Sequence, residues 1–189
     1  MVTSTRLFAI VATAFACLFA APAAASASGP SVGRLLAPAS ACPHQNQPKA
    51  RPAVQLRAMR CMTNYARSRA RLDRLTGSRP LTRAAGRKAG DILRCDEFDH
   101  EACGHEFTYW PKRFGYLKAR CWATAENIAW GTGRAGGVRA IFRAWLRSTG
   151  HRENILGPYA EIGVGLRVGR LEAHPGAHVW VQEFGSHQC

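Results

Sequence analysis

Acidic side chains are scarce in this chain of 189 residues: 12 Asp and Glu stand against 26 Lys and Arg, a formal net charge of +14. No acid precedes Asp73, while eight Lys or Arg lie between Arg34 and Arg71. A surface of that kind attracts polyanions in a salt-dependent way. Outside a cell these are acidic wall polymers or anionic lipid headgroups. Nucleic acid is disfavoured as a partner, because the arginines lack interleaved aromatics along the chain and no DNA-reading motif occurs. No Gly-x-Ser-x-Gly elbow is present, so nucleophilic hydrolysis of that kind has no support. Beyond residue 27 no apolar run is long enough to span a bilayer.

What is present begins with a targeting pattern over residues 1–27. Arg6 is its only charge, the run from Leu7 to Ala21 is apolar, and Ala25-Ser26-Ala27 supplies the small residues of a cleavage site. Cys17 lies inside the apolar run behind Ala14-Phe15-Ala16, a poor context for lipidation. An exported chain cut after Ala27 keeps six cysteines: Cys42, Cys61, Cys95, Cys103, Cys121 and Cys189. An even number in an oxidising compartment argues for disulfides. Sequence does not choose among the pairings. Proximity favours Cys42–Cys61 and Cys95–Cys103, which leaves Cys121–Cys189.

Residues 28–53 are rich in Ala, Pro, Ser and Gln without periodicity and read as a linker or loosely held arm. The remainder, 54–189, reads as one domain. From Leu56 the pattern is helical, with Leu56, Met59, Met62, Ala66 and Ala70 near one face. A second helix follows Pro80, placing Leu81, Ala84, Ala85, Ala89, Ile92 and Leu93 inward and Arg83, Arg87 and Lys88 outward. Residues 94–124 are loop-rich, and Ala125 to Trp130 suggests a strand. Val138, Ile141, Phe142, Trp145 and Leu146 form an amphipathic stripe that Gly150 is expected to stop. Glu161 to Val168 and His178 to Phe184 read as strands. Trp122, Trp130, Trp145 and Trp180 are core candidates. Helices first and strands last predict an α+β domain with an antiparallel sheet.

His100-Glu101-Ala102-Cys103-Gly104-His105 is not a zinc-protease helix, since five positions carry the second imidazole about 140° around from the first. More telling are Phe98-Asp99-His100, the run from Glu126-Asn127 to Gly131, the run from Trp145 to Leu156, Ile162-Gly163-Val164-Gly165, and Trp180-Val181-Gln182-Glu183-Phe184-Gly185. Their order resembles that of bacterial members of the CAP family, which also includes cysteine-rich secretory proteins, venom allergens and plant pathogenesis-related proteins. The resemblance covers roughly residues 56–185. It implies a three-layer α–β–α sandwich around a central antiparallel sheet, with His100, Glu126 and His151 converging in a cleft. Many members add a second Glu in the helix before the second His. Here Arg147 and Ser148 stand in that stretch, and no acid occurs from Val138 to Gly150.

Two imidazoles and one carboxylate meet the minimum for a zinc with an open fourth position, so His100 and His151 are candidate zinc ligands. The same three groups suit hydrogen bonding to a polar ligand, with pH sensitivity through the imidazoles. The leading expectation is a secreted or wall-associated protein whose His/Glu cleft binds a wall fragment, peptide or lipid without catalysis. The alternatives are a metal-assisted hydrolase of peptide or wall bonds using His100, His151 and Glu126, and a basic protein docking to polyanions. A carboxylate pair of Glu126 with Glu153 or Glu183 is conceivable, although Glu183 reads as a solvent-facing strand charge. Tyr109 and Trp110 are candidates to line the cleft.

Overall fold

A computed structural model describes residues 29–118 and 121–187. The targeting segment therefore lies outside the described residues. The first long helix, α2 (Pro52–Arg69), follows a one-turn helix α1 (Val32–Leu35); Pro52 occupies the first turn of α2, where its missing N–H costs nothing. A two-residue strand β1 (Thr76–Gly77) leads into α3 (Arg79–Cys95), which ends where Asp96 turns left-handed (φ 54°) and its N–H reaches the Ile92 carbonyl. A short helix α4 (Tyr109–Arg113) stands in the loop-rich stretch before strand β2 (Ala123–Thr132). Helices α5 (Val138–Arg147) and α6 (Thr149–Leu156) are followed by a hairpin of β3 (Glu161–Leu171) and β4 (His174–Ser186).

The sheet runs in the order β1-β3-β4-β2. Strands β3, β4 and β2 pair antiparallel, as expected; β1 adds a parallel fragment, Thr76 opposite Glu161. Trp180 and Phe184 of β4 pack on one side with Met59, Met62, Phe142, Trp145 and Ile155 of α2, α5 and α6. Val179 and Val181, their neighbours on the same strand, face Ala85, Ala89 and Ile92 of α3 on the other side. The architecture is an α–β–α sandwich, and its central strand β4 is covered on both faces. Gly163 and Gly165 explain how closely α3 lies on β3, for a Cβ at either would run into the helix backbone at Leu81–Thr82 or Ala85–Gly86.

Several expectations give way to tertiary contacts. The supposed loose arm is packed: Leu35, Ala37 and Cys42 are fully buried, and Arg139 of α5 donates to the Ala37 carbonyl at 2.7 Å. Gly150 does not stop the stripe helix. The chain breaks at Ser148, which leaves the helical region (ψ 126°), and Gly150 lies in the first turn of α6. Trp145 and Trp180 are core, but Trp122 is exposed. Lys88, expected outside, is 1% exposed. Disulfides join Cys42 to Cys61 and Cys95 to Cys103; the third pairing falls on residue 189, outside the described residues.

Candidate functional site

Glu126 and Asn127 are consecutive on the edge strand β2, so their side chains leave on opposite faces of the sheet. That alternation builds the site. Glu126 shares the α3 face, and its Oε1 meets Nδ1 of His100, on the loop after α3, at 2.7 Å. Asn127 points toward the other layer, where its amide donates to the His151 carbonyl at 3.1 Å and to Gln182 Oε1 at 3.2 Å. Gln182 in turn donates to the Thr63 hydroxyl of α2 at 2.9 Å, and Asn154 of α6 donates to Asn127 Oδ1 at 2.9 Å. This amide chain locks α6, and with it His151, to the sheet. The His151 ring shares a 2.9 Å hydrogen bond with the Ser148 hydroxyl.

The two imidazoles differ in state. His100 is half-exposed, and its pKa is raised by the hydrogen bond to Glu126, against the opposing effects of burial and the Lys88 charge. His151 is shifted down by burial and by the positive charge of His100. A proton on His100 therefore disfavours one on His151.

Glu183 was expected to face solvent; it is fully buried. It stands directly opposite Glu126 in the β2–β4 register and shares the face of Val179 and Val181, beneath α3. As carboxylates, the Glu126 Oε2 and both oxygens of Glu183 would be buried acceptors without a donor. A proton on Glu183 would relieve this in part, replacing repulsion with an O–H···O⁻ bond to Glu126. Burial, then the Glu126 charge and that hydrogen bond, push the Glu183 carboxyl well above the ordinary Glu range, with Lys88 opposing. Lys88 reaches inward from α3 and donates to the backbone carbonyls of His100 and His105, the latter at 3.1 Å. It fixes the loop that carries His100.

His100 and Glu126, linked in the sequence only through the family resemblance, meet at 2.7 Å; the burial of Glu183 and Lys88 was not expected. Both left a signal: Glu183 has the parity of Val179 and Val181, and Lys88 sits inside the stripe of Ala84, Ala85, Ala89 and Ile92. Glu153 is exposed on α6, and no contact joins it to Glu126. Tyr109 stacks on His105 at 3.9 Å and Trp110 donates to Asp91 at 2.7 Å, so these rings are engaged along α3.

The donor set does not fit a zinc centre. Among the described residues no three His, Cys, Asp or Glu side chains are grouped to hold a metal. What the arrangement offers is a hydrogen-bonding edge: a half-exposed imidazole over the buried Glu126 carboxylate, with the Glu183 carboxyl opposite it in the strand register.

Residues 62–184 match the family described as cysteine-rich secretory protein family (CAP). A curated relative, the uncharacterized protein YkwD of Bacillus subtilis, is 32% identical over 126 residues, 65% of this chain and 44% of its own length. The chain thus spans less than half of that relative. An outer surface protein of Borrelia burgdorferi superposes with a TM-score of 0.59 at 18% identity, over 71% of this chain and 93% of its own. An extracellular protein containing a SCP domain from Bacillus anthracis gives 0.55 at 23% identity, covering 71% and 43%. A cysteine-rich secretory protein of Staphylococcus aureus gives 0.54 at 20%, covering 74% and 40%.

Proposed function

This chain belongs to the cysteine-rich secretory protein (CAP) family, and from that premise we propose that it is an exported protein that binds an extracellular ligand at the His100–Glu126–His151 edge without cleaving it. Export is supported by the targeting pattern of residues 1–27 and by the two disulfides, which persist in oxidising compartments. The binding reading rests on one observation: His100 is half-exposed while its Nδ1 is held by buried Glu126 at 2.7 Å. That bond aims the remaining ring nitrogen outward, as a donor whose proton Glu126 stabilises. Such a group recognises an acceptor oxygen, whether the carboxylate or amide of a wall fragment or peptide, or a lipid headgroup. His151, whose pKa burial and the His100 charge lower, supplies a second ring nitrogen for the same ligand.

Among the described residues we assign no activated nucleophile to this edge. Ser148 does neighbour His151, but the imidazole Nδ1 that meets its hydroxyl has no carboxylate orienter behind it among the described contacts. Soluble muropeptides, a peptide library and lipid vesicles, titrated by calorimetry against wild type, His100→Ala and His151→Ala, test the reading. We expect one probe to bind, to bind more tightly as pH falls through the His100 transition, and to lose at least tenfold in affinity in His100→Ala, with no product by mass spectrometry. Turnover abolished by His100→Ala would establish the hydrolase instead, and unchanged affinity in both variants would move the ligand elsewhere.

A further inference from the structure

Along the outward face of α3 three adjoining hollows, of about 400, 620 and 280 Å³, form one furrow. Arg87 lines all three; Arg83 and Phe114 join the first to the second, and Gly86 and Arg167 join the first to the third. None of the walls is His100, Glu126 or His151. Cations dominate: Arg83, Arg87, Arg113 and Arg167 have no carboxylate within ion-pair distance among the described residues. The one acid lining these hollows, Asp91, is occupied by Arg94, His105 and Trp110 at 2.9, 2.9 and 2.7 Å.

Aromatic rings interleave with these arginines in space, although they do not along the chain. The Arg83 guanidinium lies 4.1 Å over the Phe114 ring, and that of Arg87 5.9 Å from the Trp110 ring. Tyr109 and Trp110 meet almost at right angles, 4.9 Å between centroids, as a corner at the edge of the furrow. The floor is made by Gly86 and Gly90, one turn apart. Packing does not require either to be glycine: a Cβ at Gly90 would meet nothing within 4 Å, and one at Gly86 only the mobile tip of Arg167 at 3.7 Å. Glycine inside a helix costs about 1 kcal/mol relative to alanine, so the helix gives up stability where its outer face is left open.

We propose that this furrow binds an acidic saccharide chain. Planar guanidinium forks match carboxylates bidentately, and the open floor admits a sugar backbone. Single-stranded nucleic acid fits less well, since it needs successive free ring faces for its bases, and here Phe114 lies under Arg83 and the Tyr109 ring is stacked on His105 at 3.9 Å.

The probes are oligogalacturonate, neutral dextran and an oligo-dT, titrated by calorimetry at fixed salt. We expect oligogalacturonate alone to bind. Gly86→Leu/Gly90→Leu plugs the floor at unchanged net charge and should weaken that binding at least tenfold while holding or raising Tm. Arg83→Ala/Arg87→Ala should weaken it similarly. Arg134→Ala/Arg143→Ala, in a separate basic groove at the start of α5, should change it less than twofold. Full affinity in the folded plug variant, equal loss in the Arg134/Arg143 variant, absence of oligogalacturonate binding, or tight oligo-dT binding that the plug removes would each overturn the proposal.

Discussion

The pKa values of Glu183 and His100 are both raised, the first chiefly by burial and then by the Glu126 charge, the second chiefly by its hydrogen bond to Glu126. In both, the folded state binds the proton more tightly than the unfolded chain does, so the stability each contributes is present at low pH. For His100 it is complete below the ordinary value of 6.5 and lost as pH rises through the raised value. For Glu183 the loss begins above 4.5, where the unfolded chain ionises and the buried carboxyl does not. Glu183→Gln keeps a donor facing Glu126 and removes that slope. We expect it to match wild type in urea unfolding at pH 4 and to exceed it at pH 7. Imidazole titration by NMR should show His100 unchanged in Glu183→Gln and shifted toward its ordinary value in Glu126→Gln; equal shifts in both would contradict a neutral Glu183.

The elements are joined as much by buried polar groups as by apolar packing. Arg67 of α2 is 2% exposed and donates to the carbonyls of Asp73 (2.7 Å), Ile155 (3.1 Å), Gly157 (2.7 Å) and Tyr159 (3.2 Å). It thereby fastens α2 to the end of α6 and the turn between α6 and β3. Burial lowers its pKa, and no carboxylate bonds to it. Arg67→Ala leaves those carbonyls buried and unpaired and should cost about 3 kcal/mol. Arg67→Lys should recover little of it, because a point ammonium cannot serve four divergent acceptors. Chemical denaturation measures both; a loss below about 1 kcal/mol in Arg67→Ala would show that the turn is held by packing alone.

For the molecule as a whole, the disulfides hold the periphery onto the sandwich. Cys42–Cys61 closes a span of 19 residues and ties residues 29–51 to α2, and Cys95–Cys103 closes 8 and ties down the loop that carries His100. Loop-entropy reasoning gives about 3 kcal/mol for the first and about 2.5 for the second. Cys42→Ala/Cys61→Ala should lower unfolding free energy by about that larger amount and leave the His100 titration in place. Cys95→Ala/Cys103→Ala should lower it less yet weaken the His100–Glu126 bond, seen as a fall in the His100 pKa. The reverse pattern would separate the loop from the site.

Local periodicity sufficed for much of this. The stripe of Val138, Ile141, Phe142, Trp145 and Leu146, the inward face of α3, the hairpin and the neighbouring cysteine pairs were legible because each depends on residues close along the chain. The pairing of His100 with Glu126 was legible only through resemblance, since 26 residues separate them. The chain by itself thus determined which residues share a face. Only the tertiary structure decided which faces are covered, because that depends on what packs against them from afar: β4 is enclosed on both sides, so Glu183 is buried with Val179 and Val181 where its charge suggested solvent. Lys88 is inward for the same reason, as distant loop carbonyls at residues 100 and 105 supply the partners that make a buried ammonium tolerable.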